Sequence, residues 1–251
     1  MIISPFNSIF FLGSRKTDGL ECPYVQTFSA TDVVMIEVIR TSDEPAKAAT
    51  LKDAMTGATI KILPIITYAL GASDGLDRYT LSDIPDGIYY VSIGDEDSEP
   101  FRISSDPAFL KNTILVEYSA GDSNSRSDVV GAVHDERLYF TFRIPGGFKD
   151  SGWNFSIDNE QFITDQSDIV ELYARESVQQ TLTMGFSMGV PVWFGELLNR
   201  LLTCKYVYID GKRFARFGSS VPEMEQTLDG VNSFIFSQKL QRINHLEPIK
   251  I

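Results

Sequence analysis

Histidine is almost missing from this chain: His134 and His245 are the two in 251 residues. A Ser-His-Asp triad needs a positioned imidazole and a nucleophile on a sharp turn, and no G-x-S-x-G occurs. Cysteine is as sparse. Cys22 and Cys204 lie far apart and form no C-x-x-C, which excludes a disulfide framework, a zinc ribbon and thioredoxin-type chemistry. They read as two buried free thiols, with one long-range bridge as the alternative. Neither glycine pattern that cradles phosphate is present. Gly146-Gly147 follows a strand, but Phe148-Lys149-Asp150 does not open an apolar helix, so the pair reads as a β turn. No apolar run approaches the roughly 18 residues of a membrane-spanning helix. The short run Ile9–Leu12 precedes Arg15 and Lys16, the reverse of a secretory signal. The expectation is a protein made and kept in a cytoplasm until assembly, without membrane insertion.

Positive charge is also in deficit. Against 34 acidic residues there are 22 basic ones, a formal net charge of −12. Neutralising phosphates needs a basic surface, so nucleic acid is not expected as the main partner, nor is an anionic membrane. Acidic clusters gain nothing from this surplus. Asp122–Asp128 lacks the glycine and glutamate of a calcium loop, and Asp95–Glu99 reads as a solvated turn. His134, just before a strand, reads as a surface or turn residue. Paired carboxylates for glycoside hydrolysis have no distinguishing spacing among so many acids. The sequon Asn154-Phe155-Ser156 reads as chance. No cofactor or metal is expected, and the chain reads as non-enzymatic.

What is abundant is aromatic: 17 Phe, 10 Tyr and 2 Trp, residues that favour strands and interfaces. The expected fold is mainly β with an α+β second half: an immunoglobulin-like β-sandwich followed by a mixed α+β domain. Residues 1–20 read as an N-terminal arm. It is either a poorly ordered terminus or an arm packing on a neighbouring subunit, since Phe6, Ile9, Phe10, Phe11 and Leu12 are costly to leave in water. Residues 21–105 read as the sandwich. Val33–Ile39 is a β-branched strand, Ala46–Ala58 suggests a short helical turn, and Pro64 marks an edge strand or bulge within Ile60–Tyr68. Tyr79–Ile93 passes from strand to strand through Pro85-Asp86-Gly87, a turn signal shared by sandwich modules.

Residues 106–251 read as the α+β domain. Ile114–Tyr118 is a strand. Leu138–Ile144 alternates cleanly and is expected to stop at Pro145-Gly146-Gly147. Asp165–Arg175 reads as a helix, from the spacing of Ile169, Leu172 and Tyr173 and a D-x-x-E cap signal at Asp168 and Glu171. Thr181–Phe186 is a short strand. A second helix near 191–203 is expected from Phe194, Leu197, Leu198, Leu201 and Leu202, with Pro191 in its first turn. Asp210-Gly211 predicts a tight hairpin, and Ser233–Leu240 a last strand.

Three stretches form a recognisable set: Phe140–Lys149 with Asp158–Phe162 after it, Gly189–Asn199, and Tyr208–Phe214 followed by Val221-Pro222-Glu223-Met224. Over roughly the last 150 residues the chain resembles structural proteins encoded among the tail genes of tailed bacteriophages and prophages of gut anaerobes. The resemblance brings no catalytic residues. It implies a virion component of the tail, collar or ring, or baseplate, assembled in the host cytoplasm, partnered by other virion proteins and by copies of itself as a homo-oligomer. Candidate contact residues are Phe6, Ile9, Phe10, Phe11, Leu12, Trp153 and Trp193. The alternative is a cell-surface or extracellular carbohydrate-binding β-sandwich module using exposed aromatics such as Trp153. An enzyme built on scattered carboxylates is the third reading.

Overall fold

A computed structural model describes residues 1–13, 20–22, 24–41, 44–70, 74–119, 139–149 and 153–243. The fold is mainly β: of the described residues 56% are strand and 7% helix. Every large packing decision is therefore made by sheets.

Two sheets form the first unit. One has the order β1 (Ile2–Ile3), β4 (Val34–Arg40), β8 (Asp74–Leu81), β7 (Ile65–Leu70). The other has the order β3 (Gln26–Ser29), β11 (Phe101–Ser104), β9 (Gly87–Ile93), β5 (Ala49–Asp53), β6 (Thr59–Ile62), with β10 (Glu96–Asp97) paired to β9. Alternate residues of both sheets meet in one core: Val34, Ile36, Val38, Tyr79 and Leu81 from the first, and Phe28, Leu51, Val91, Ile93, Phe101 and Ile103 from the second. The period-two alternation read from Val33–Ile39 is this core face. Pro85-Asp86-Gly87 carries the chain from one sheet to the other, since β8 and β9 pair with different strands. Pro64 does the same between β6 and β7, and both are edge strands, as a proline in a strand run demands. The helical turn expected within Ala46–Ala58 is replaced by β5, a tight turn at Asp53, whose carboxylate accepts the backbone N–H of Thr56, and β6.

The second unit is a closed ring of strands. β12 (Thr113–Ser119) pairs with β13 (Phe140–Phe148) and β16 (Tyr206–Ile209); β16 pairs with β17 (Lys212–Arg216); β17 pairs with β20 (Phe234–Arg242); β20 pairs with β15 (Ile169–Met184), which pairs back to β13. All six contacts are antiparallel. β14 (Asn154–Ile163) extends the sheet from β15, and β18 (Glu223–Gln226) from β20. A small parallel pair, β2 (Leu20–Glu21) with β19 (Val231–Asn232), lies apart. Inward residues alternate around the ring: Ile114, Val116, Tyr118, Phe140, Phe142, Ile144, Leu182, Met184, Val207, Ile209, Phe214, Phe236 and Leu240. Helix α1 (Pro107–Leu110) is a single turn in the linker.

Helix α2 (Val192–Leu201) fulfils the expected amphipathic pattern and closes the barrel core with Phe194, Leu197, Leu198 and Leu201. Its first N–H is taken up by Asn232 Oδ1 at 3.2 Å, because Pro191 has no capping side chain to offer. Gly195 lets it approach: a Cβ there would lie 2.2 Å from the Phe236 ring.

Two expectations for residues 106–251 are corrected. Pro145-Gly146-Gly147 is not a turn; β13 runs through it to Phe148. Gly146 has φ +136°, and a Cβ there would stand 2.0 Å from the Thr183 carbonyl oxygen. The glycine thus permits close strand approach to β15 instead of a reversal. The helix over Asp165–Arg175 does not form. Asp165 to Ser167 lie in a loop closed by Thr164 N to Asp168 O at 2.8 Å, and β15 begins at Ile169. Thr181 to Met184 are the end of that same long strand.

Residues 1–13 wedge between the units. Phe6 belongs to the barrel core and Ile9 to the first core. The Asn7 side chain bonds the Glu37 carbonyl and N–H at 3.0 and 2.8 Å. The Tyr118 hydroxyl, inside the barrel, donates to the Phe6 carbonyl. Arg200 donates to the Pro5 carbonyl at 2.8 Å. The arm expected over residues 1–20 is therefore corrected for residues 1–13, which pack within their own chain. The outer faces of β4 and β13 complete the junction. Met35 joins the barrel core, Thr141 Oγ1 donates to the Val33 carbonyl at 2.7 Å, and the Arg143 guanidinium grips both Asp32 carboxylate oxygens at 2.7 and 2.8 Å. On the same face of β4, Glu37 pairs with Arg78 at 2.5 Å. Burial holds the Glu37 carboxyl above its ordinary value, and the hydrogen bond and charge of Arg78 pull it back.

Candidate functional site

The feature this fold leaves unexplained is the ribbon β14–β15. Val178 is the last residue of β15 with neighbours on both sides, Phe155 and Arg242. From Ser177 back to Ile169, β15 pairs with β14 alone. Among the described strands, the two run past the end of β20 paired only with each other, for about 25 Å at about 3.3 Å per residue. A bulge at Glu160/Gln161 interrupts its register.

Its side chains are the wrong kind for a free ribbon. Phe155 is 73% exposed, Ile157 67%, Ile163 71% and Ile169 61%. Trp153, Phe162, Leu172 and Tyr173 are about half exposed or more. Alternation and register place Phe155 and Ile157 with Val178 at the base of one face and Ile163 with Ile169 at its tip, with Asn159, Gln161, Glu171, Ala174 and Glu176 on the same face between and beside them. That face continues the core-facing side of the barrel, because Val178 shares its side of β15 with buried Leu182 and Met184. Trp153 stacks on Phe155, ring centroids 6.0 Å apart at 29°. A core face thus extends beyond the core it belongs to, uncovered by any described residue. Around it the ribbon is acidic: residues 154–177 hold Asp158, Glu160, Asp165, Asp168, Glu171 and Glu176 against Arg175.

The seven contact residues expected from sequence separate into three places. Phe6 and Ile9, 3% and 2% exposed, are core residues and are corrected as subunit contacts. Phe10, Phe11, Leu12 and Trp193 come together along a cleft between the N-terminal segment and α2, which Glu196 and Arg200 also line. Phe10 and Trp193 also pack on the barrel core, Phe10 with its ring 4.9 Å from Phe194. Trp153 alone sits on the ribbon. Sequence reasoning missed Phe155, Ile157, Phe162, Ile163 and Ile169 as contact residues. The signal was there: Phe155 and Ile157 alternate with Asn154, Ser156 and Asp158.

Other candidates are weaker. A cleft of about 300 Å³ at the junction is lined by Tyr24, Arg102, Phe109, Asn112 and Met188; burial raises the Tyr24 hydroxyl well above its ordinary value, so it stays protonated. The open edge of the first unit exposes Ile60, Ile62, Ile65 and Ile66. Cys22 is buried and Cys204 is half-buried, and the two do not form a disulfide. Among the described residues no three His, Cys, Asp or Glu side chains converge to hold a metal, and no helix is long and apolar enough to cross a membrane. His134, His245 and the Asp122–Asp128 loop lie outside the described residues.

No family model, curated protein or solved structure matches the chain.

Proposed function

We propose that this chain is a structural component of a tailed-phage virion, in the tail, collar or ring, or baseplate, acting through subunit–subunit contacts in a symmetric assembly. The first unit is read as an immunoglobulin-like sandwich, and the ring of strands with α2 as the assembly module. One observation carries the reading: the uncovered apolar face of the β14–β15 ribbon. A two-stranded hairpin is marginal alone in water, so one built with an apolar face calls for a cover. Trp153, Phe155, Ile157, Ile163 and Ile169 at their observed exposures present roughly 600 Å² of surface, most of the roughly 800 Å² per partner of a standard interface. Covering it is worth about 15 kcal/mol gross, against association costs of about 4–15 kcal/mol. The three stretches that resemble phage tail-region proteins support the reading by their positions: they supply β13 and part of β14, helix α2, and the β16–β17 hairpin. In this reading the partners are other virion proteins and copies of the same chain, and there is no catalytic centre.

Native mass spectrometry of the full chain over rising concentration tests it. A defined oligomer is expected, converted to monomer by Phe155→Ser with Ile157→Ser while the circular dichroism spectrum is retained. A wild-type chain that stays monomeric throughout counts against the proposal. The stacked and exposed Trp153–Phe155 pair also favours a second reading, a carbohydrate-binding module. A glycan array showing no binding removes it.

A further inference from the structure

If the ribbon is a subunit contact, as proposed above, its seat follows from charge and from position in the ring. We infer that the apolar face of the β14–β15 ribbon docks on the outer wall formed by β16 and β17 of a second copy, so that copies join head to tail.

Charge separates the two surfaces within one acidic chain. Residues 154–177 carry six acidic residues and one basic, a net −5. Residues 206–216, the β16–β17 hairpin, carry Lys212, Arg213 and Arg216 against Asp210, a net +2. Two ribbons meeting face to face would oppose −5 with −5. A ribbon on the β16–β17 wall pairs opposite signs, which steers encounter and fixes partner choice. The isoleucine edge of β6 and β7 is the rival apolar seat, but residues 59–70 hold Lys61 as their one charge, a net +1 against the +2 of the wall, and no arginine.

The wall also has contact chemistry. Val207 and Ile209 point into the barrel, so Tyr206 and Tyr208 point out. The Arg213 guanidinium lies 4.8 Å over the Tyr206 ring, and Lys212 is exposed beside it. Tyrosine and arginine are the residue types that dominate interface energetics, and tyrosine faces accept aromatic and branched side chains such as Phe155 and Ile157.

Position then makes the contact intermolecular. In a ring of six strands, β16 is the third strand from β15 in either direction and β17 the second, with β20 between, so the wall is not a neighbour of the ribbon. The outer face of β13, next to β15, is covered by the first unit through Thr141 and Arg143. Each copy therefore offers one ribbon and one wall that do not meet each other. Such a heterologous contact repeats, closing into a ring or propagating as a helix.

Charge reversal on the full chain tests this. Glu160→Lys, Asp165→Lys and Glu171→Lys take the ribbon from −5 to +1; Lys212→Glu with Arg213→Glu take the wall from +2 to −2. At low ionic strength the ribbon variant alone and the wall variant alone should each lose about ten-fold or more in association affinity. An equimolar mixture should regain it, because every ribbon then finds a wall of opposite sign, and so should the variant carrying all five changes. Circular dichroism confirms that each variant is folded. Wild-type association that the wall variant leaves unchanged, or that the mixture fails to restore, overturns the seat while the ribbon remains a contact. A wild-type chain that never associates overturns both.

Discussion

Arg143 and Asp32 join the two units, and their pairing can be measured. Asp32 lies in the turn between β3 and β4, with its side chain 3% exposed; Arg143 projects from the outer face of β13 at 13%. Two charge-assisted bonds of 2.7 and 2.8 Å connect them, and Arg143 also donates to Thr113 Oγ1 at 3.2 Å. Removing one partner of a buried pair costs about 3–5 kcal/mol, because the other charge stays buried without compensation. Asp32 keeps one bond from the Ser29 N–H at 2.8 Å, so Arg143→Ala belongs at the lower end, about 3 kcal/mol. Asp32→Ala should cost about 2 kcal/mol, since the guanidinium keeps Thr113 and some solvent. The double variant should cost about 3 kcal/mol, well short of the sum, giving a coupling of about 2 kcal/mol. The assay is urea unfolding of the four proteins at one fixed low concentration, so that association does not enter. Single-variant costs that add to the double within about 0.5 kcal/mol would refute the pairing as a link between the units.

Gly195→Ala drives a methyl group into the Phe236 ring, so α2 must shift; unfolding should show a loss of about 1–3 kcal/mol, and a wild-type midpoint would contradict the packing of α2 on β20. Glu37 gives a pH signature. Its folded carboxyl is held above the ordinary 4.5 chiefly by burial, so the folded chain binds that proton more tightly than the unfolded one. Its contribution to stability is fully present below 4.5 and is lost as pH rises through the folded value. Glu37→Gln should remove that part of the decline in a plot of unfolding free energy against pH, and parallel curves for the two proteins would contradict it.

The parts of the fold that were legible in sequence are those whose signal is local. Asp210-Gly211 takes positive φ at both positions, 45° and 72°, and makes the hairpin it predicts. Val34–Arg40, Thr113–Ser119 and the start of β13 show their alternation because one face of each is buried in its own core. The apolar spacing in Gly189–Leu202 shows α2 for the same reason. What failed was what depends on distant partners. Pro145-Gly146-Gly147 has turn composition, yet its glycine answers a strand 37 positions further on, at Thr183. Ile169, Leu172 and Tyr173 have helical spacing, but Ile169 and Tyr173 pair with β14 at Ile163 and Glu160, and Leu172 is the bulge between them. Closure of the barrel is a property of six pairings at once and leaves no mark in any single segment. The N-terminal apolar residues were correctly seen as needing cover, but sequence could not say that the cover lies in their own chain, through Tyr118, Glu37 and Arg200. The candidate surface was hidden by the same error that made residues 165–175 a helix: read as a strand, that segment pairs with β14 and brings Ile169 beside Ile163.

In the proposed assembly that face is a contact. Amide hydrogen exchange of the full chain, followed at concentrations below and above its association, reads it directly. Residues 154–177 should exchange quickly in the monomer, as a two-stranded ribbon open to solvent, and slow together when copies associate, with residues 206–216 slowing alongside. Association that leaves 154–177 as fast as in the monomer would contradict the account.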